Sequence, residues 1–154
     1  MRPALSGPTL VLDAAGGAGR LAVLDGDCLL AQRDWSNLRD ATARLGGLAA
    51  DALADAGIAA SALSCVAVVV GPGSFTGLRA SVAFAQGLAL AISAALIPVT
   101  VDEAGESDGS GRTPARVAAA AARRHAGLLP SLPPLPVYAG PAQARAVSTR
   151  PAPA

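Results

Sequence analysis

Lysine is absent from this 154-residue sequence, so all 12 basic side chains are arginine. That excludes a Walker-A lysine, a pyridoxal Schiff base and a lysine general base. Histidine is nearly absent too, with His125 alone. A metal site needing two imidazoles and an HExxH protease helix are therefore both excluded. Aromatic residues make up only 3%, too few for stacking platforms on single-stranded nucleic acid. The two cysteines, Cys28 and Cys65, stand far apart in apolar runs. They read as reduced, buried thiols of a cytoplasmic chain.

What is present is apolar and small. Hydrophobic residues reach 52% and charged residues only 15%, with 38 alanines. The core must be built from Ala, Leu and Val. Charge is split along the chain. Residues 1–108 hold six Arg and all 11 acidic residues, whereas residues 109–154 hold six Arg and no acid. That basic end reads as a surface for RNA or an acidic partner or, since aromatics are lacking, as a solvated tail, which is the favoured reading. The apolar run at the N-terminus ends at Asp13 and is too short for a signal peptide. Residues 80–101 carry no charge, but Pro98 breaks them and they barely reach spanning length. No membrane segment is expected.

The pattern predicts strands at residues 9–13, 20–24 and 27–32, the last two joined by the Asp25-Gly26 turn. A helix follows over residues 36–56, with Ser36 as N-cap and Gly57 as C-cap. Residues 65–70 (CVAVVV) read as a central strand. A second helix runs to about residue 95, and a fifth strand covers 97–101. The order β-β-β-α-β-α-β fits an α/β layer structure. Residues 1–101 form the expected first lobe, 102–114 a linker by composition, and 115–154 one Ala-rich helix with a Pro-rich, extended end.

The most specific segment is VVVGPGSFTGLRASVAFAQGLAL, residues 68–90. A buried strand ends in GPGSFTG, and a helix begins. Gly71 and Gly73 bracket Pro72, and at least one of them should need a backbone conformation barred to other residues. Ser74 or Thr76 can cap the helix, whose N–H groups could meet an anion. The glycine spacing is neither the dinucleotide fingerprint nor the Walker loop. The candidate phosphate-turn residues are Asp13, Gly71, Gly73, Ser74, Thr76, Gly77 and Arg79.

As a string, GPGSFTGLRASVAFAQGLAL resembles the bacterial TsaB (YeaZ) family of threonylcarbamoyladenosine (t6A) biosynthesis in tRNA. The resemblance extends through LVLDAAGGAG, LDGDCLLAQ and PVTVDEA, and returns weakly in LPVYAGPAQAR. It implies a ribonuclease H-like first lobe of the actin-like ATPase superfamily, with the second lobe truncated to a helix and a tail. It also implies a non-catalytic subunit, an inactive paralogue of TsaD. Such a subunit supports a TsaD-like protein in a helix-mediated heterodimer, with a TsaE-like ATPase joining and tRNA met only through the complex. A homodimer is allowed for the chain alone. Asp13-Ala14-Ala15 lacks the hydroxyls that actin-like ATPases place on phosphate. No cofactor is therefore expected, and at most weak ATP or ADP binding. Three rivals stand beside this reading: a small actin-like ATPase or kinase, a decayed copy, and a hydrolase pairing Ser74 with His125.

At 100° per residue, each helix carries a large stripe and a small one. Leu38, Ala41, Leu45, Leu48 and Ala52 share one face of the first helix. Leu78, Val82, Ala85, Ala89 and Ile92 share one face of the second. These faces should meet the sheet. The opposite residues, Ala43, Gly47, Ala50 and Ala54 with Ala80, Ala83, Gly87 and Ala91, are the candidate partner interface. Small side chains let helix backbones approach closely.

Overall fold

The computed structural model describes residues 3–36 and 38–139, and for 38–42 the backbone alone. Five strands form one sheet in the order β3-β2-β1-β4-β5. They are β1 (Pro8–Asp13), β2 (Gly19–Asp25), β3 (Cys28–Trp35), β4 (Cys65–Gly71) and β5 (Ala95–Thr100). The first three pair antiparallel as a meander, while β4 lies parallel to β1 and β5 parallel to β4. This mixed α/β arrangement fits the layer structure expected from the order of elements and the ribonuclease H-like first lobe that the family resemblance implies.

Strand alternation divides the core in two. Leu10, Leu12, Leu21, Val23, Val66, Val68 and Val70 face the side covered by α1 (Leu38–Ala56) and α2 (Phe75–Ile92). Val11, Ala22, Leu24, Ala67, Val69 and Val99 face the other side, covered by α4 (Pro114–His125). Every residue of β4 is buried, because helices close it on both faces.

Helix ends follow local chemistry. Gly57, at φ +69°, ends α1, and the Ile58 N–H reaches back to the Leu53 carbonyl at 3.0 Å. Ser93 takes the left-handed conformation after α2 at φ +56°, so β5 begins at Ala95, two residues earlier than the pattern suggested. The expected Ser36 cap cannot be followed into the helix, because Asn37 lies outside the described residues.

Three expectations change. Residues 102–114 are not a bare linker. They hold the short helix α3 (Val101–Ala104), opened by a Thr100–Glu103 capping box, and a Ser107–Arg112 bridge. The helix assigned to a second-lobe remnant packs into the first lobe's own core through Val117, Ala118, Ala120 and Ala121. Its alanine face fits closely against the sheet, which composition alone does not reveal. Cys28 is exposed, because it lies on β3 at the sheet edge, and only Cys65 is buried.

Candidate functional site

The β1–β2 turn and the β4–α2 loop meet at the C-terminal ends of the parallel strands, where α/β folds commonly bind ligands. Gly71 stands at φ +117°, and the peptide after it is cis. A Cβ on Gly71 would collide with the Val137 carbonyl. Gly73 has no unusual φ but is confined by space, since its Cβ would strike the Ala15 carbonyl. Gly77 meets the Ala14 carbonyl in the same way. The shared feature of the three is close approach, and a positive φ applies only to the first.

This closeness decides the chemistry. An anion at the start of α2 would need open N–H groups. Here the Ser74 N–H donates to the Ala15 carbonyl at 2.8 Å. The carbonyls of Ala14 and Ala15, which repel phosphate, line the glycines. The Ser74 side chain makes no capping bond. Thr76 and Arg79 are exposed, and the Arg79 guanidinium lies 5.1 Å above the Phe75 ring.

Asp13 is buried and already partnered. Its Oδ2 accepts the Arg112 N–H at 2.8 Å, and Arg112 Nη1 reaches both carboxylate oxygens at 3.2 and 3.3 Å. The Ala15 N–H adds a further bond at 3.2 Å. Beside it, the buried Arg20 forks onto Asp34 at 2.8 and 2.9 Å. Arg20 also binds Asp108 at 2.9 Å and the carbonyls of Gly111 and Arg112, both at 3.3 Å. This guanidinium holds the Asp34 carboxyl below the usual carboxylate range, and its own pKa is raised chiefly by Asp34. The Asp108 carboxyl is lowered first by the Ser110 N–H and then by Arg20.

The sequence reading found Asp13 but not its partners. Arg112 lies in a stretch whose composition suggests a linker, and nothing local marks it. Arg20 did leave a signal. It alternates with Ala22 and Leu24 on one face of β2, so a charge on an apolar face required an acid nearby.

The second candidate surface lies on the outer side of α1 and α2. Both helices sit on the same face of the sheet, with Leu45, Ala52, Leu78, Val82, Ala85 and Ala89 buried. Ala43, Gly47, Ala50, Ala54, Ala83, Gly87 and Ala91 are exposed, and Ala80 is half-buried. A Cβ at Gly47 or Gly87 would meet open space. Leu90, missed by the sequence reading, lies on the same stripe and is 83% exposed. It recurs at the helical spacing of Ala83 and Gly87, and that spacing could have revealed it.

The clasp after α4 completes this side. The Val137 N–H binds the Val70 carbonyl at 2.7 Å, and Gln86 Nε2 binds the Pro134 carbonyl at 2.7 Å. Tyr138 packs on Phe75 with ring centroids 4.6 Å apart. His125 ends α4 on the far face of the sheet, exposed, while Ser74 opens α2. The structure does not bring that pair together. Among the described residues, no three His, Cys, Asp or Glu side chains converge as a metal site. The α2 helix is long and apolar enough to cross a membrane, but its apolar stripe is buried against the sheet.

A family model described as "TsaD: tRNA N6-adenosine threonylcarbamoyltransferase" matches residues 37–126. Two solved structures from Pseudomonas aeruginosa are similar. One is YeaZ, 33% identical with a TM-score of 0.55, covering 62% of this chain and 43% of its own. The other is described as an uncharacterized protein with similarity to peptidase YeaZ. It is 33% identical with a TM-score of 0.57, covering 62% of this chain and 44% of its own. The chain therefore spans less than half the length of these relatives. No curated protein matches the sequence.

Proposed function

We propose a role that starts from one premise: the chain belongs to the TsaD family and is TsaB/YeaZ-like. On that basis it serves t6A biosynthesis in tRNA. Its part there is that of a non-catalytic partner subunit, which binds a TsaD-like protein through the outer faces of α1 and α2. The observation that carries this reading is that face itself, where a row of small residues stands in water beside an almost fully exposed Leu90. Unbranched, short side chains permit close helix packing, and a large apolar residue among them supplies an anchor. The family match includes both helices, so a TsaD-like partner can offer a corresponding pair and form a four-helix contact.

Three observations support a non-catalytic role. The only histidine stands exposed at the end of α4, away from the phosphate turn. Asp13 is held by Arg112, and the Ser74 N–H by Ala15. The turn that serves phosphate in actin-like enzymes is therefore filled by protein atoms, and no cofactor is assigned. A TsaE-like ATPase and tRNA are met through the complex, in the cytoplasm.

Co-expression with the TsaD-like protein of the same organism tests the proposal. The expected result is a stable one-to-one complex, with no heat of ATP binding to the isolated chain. Failure to co-purify, or micromolar ATP affinity of the chain alone, would overturn it.

A further inference from the structure

The α4 face of the sheet is held in an unusual way. Pro114, Val117, Ala118, Ala120, Ala121 and Ala122 are the buried residues of α4, so one valine and one proline are its largest apolar groups. Arginines supply the rest. Arg112 binds Asp13 on β1, and Arg20 on β2 binds Asp108 together with two carbonyls of the same loop. Arg124, near the end of α4, binds Glu103 at 2.7 Å and the Pro98 carbonyl at 2.7 Å. Both ends of this segment are fixed. Thr100 ends β5 before it, and beyond it Leu132, Pro134 and Val137 attach to the α1/α2 side, α2 and β4.

We propose that residues 101–131 form a tethered flap, latched to the sheet by Arg20, Arg112 and Arg124, which opens as a unit while the sheet, α1 and α2 stay folded. Apolar burial is non-directional and tolerates small shifts. Guanidinium–carboxylate forks are directional, and water competes for them as soon as the geometry opens. Asp34 and Asp108 are already partly exposed, so water reaches the latch from outside. Local opening of this kind starts where apolar contacts are few. Opening would uncover the sheet face formed by Val11, Leu24, Val69 and Val99 and release the carboxylate of Asp13. The tethers at residues 100 and 132 bound the excursion, so the flap can return without a search.

Hydrogen exchange on the full chain, resolved by peptide, tests this. In the native protein, amides of residues 115–125 should exchange about tenfold or more faster than those of 78–90. Arg112→Ala should speed the flap by about another tenfold and leave 78–90 unchanged. Asp108→Asn, which breaks the contact between the flap loop and Arg20 on β2, should act in the same direction, and it carries the test if Arg112→Ala does not fold. One common rate for both regions in the native protein would overturn the proposal. So would variants that accelerate both regions equally or leave the flap unchanged.

Discussion

The sheet is covered on both faces, by opposite means. On one side α1 and α2 press Leu53, Val82, Ala85 and Ala89 onto Leu10, Leu12 and Val68. On the other side α4 presses a single valine and several alanines, and arginines hold the connecting loops. A buried leucine or valine contributes about 1.5–3 kcal/mol by removal from water, and alanine contributes less. Alanine thus supplies shape without much holding energy. Where the sequence is richest in alanine, ion pairs decide where the helix sits.

Leu78→Ala should have the largest effect, since it opens a cavity under α2. Global stability should fall by about 2–5 kcal/mol in urea unfolding. The comparison breaks if α2 loses its leucine cheaply. Arg112→Ala should cost less than the roughly 3–5 kcal/mol typical of a broken buried pair, because the flap can open and wet Asp13. Urea unfolding of this variant should show a loss smaller than that of Leu78→Ala.

Acid sharpens the contrast. The Asp108 carboxyl, which joins the flap loop to Arg20, is held below its ordinary value by the Ser110 N–H and by Arg20, and Arg20 does the same for Asp34. A depressed folded pKa gives stability that is fully present above the unfolded pKa, about 4 for these groups. That stability is lost as pH falls through this range toward the folded value. Circular dichroism with exchange at pH about 3.5 should therefore show the α4 face loosening before the α1/α2 face. Simultaneous loss of both faces would remove the distinction.

The smallest effect concerns the thiols. Burial pushes the Cys65 thiol up to about 12, and Cys65 lies on the α4 side of the core. Cys28 is exposed. A thiol reagent at pH 8 should modify Cys28 at once and Cys65 only as the flap opens, faster in Arg112→Ala. Equal reactivity of the two in the native chain would contradict this.

The strands, both long helices and their inward stripes were legible because period and burial agree there. The unbroken run Val68, Val69 and Val70 announces a strand covered on both faces, and Leu78, Val82 and Ala85 announce a helix face. The phosphate turn was legible as a tight turn, but its closure was not. Closure depends on Arg112, distant in sequence from Asp13, and on the Val137 carbonyl beside Gly71. Long-range polar pairs leave no periodic trace. The loop from Gly105 to Thr113 looked like a linker because Gly and Ser dominate it, although Asp108 and Arg112 give it fixed partners. Residues 140–154, part of the Pro-rich end expected from composition, lie outside the described residues.

Binding of a TsaD-like subunit by the outer face of α1 and α2 is a proposal that one substitution can test. Gly87 is the position to probe, since a side chain there meets open space and cannot strain the monomer. Titration calorimetry of Gly87→Leu into the TsaD-like protein measures the claim directly. Unfolding stability should stay within about 0.5 kcal/mol of the parent chain, with affinity weakened by tenfold or more, about 1.4 kcal/mol. A folded Gly87→Leu protein that binds with unchanged affinity would contradict it.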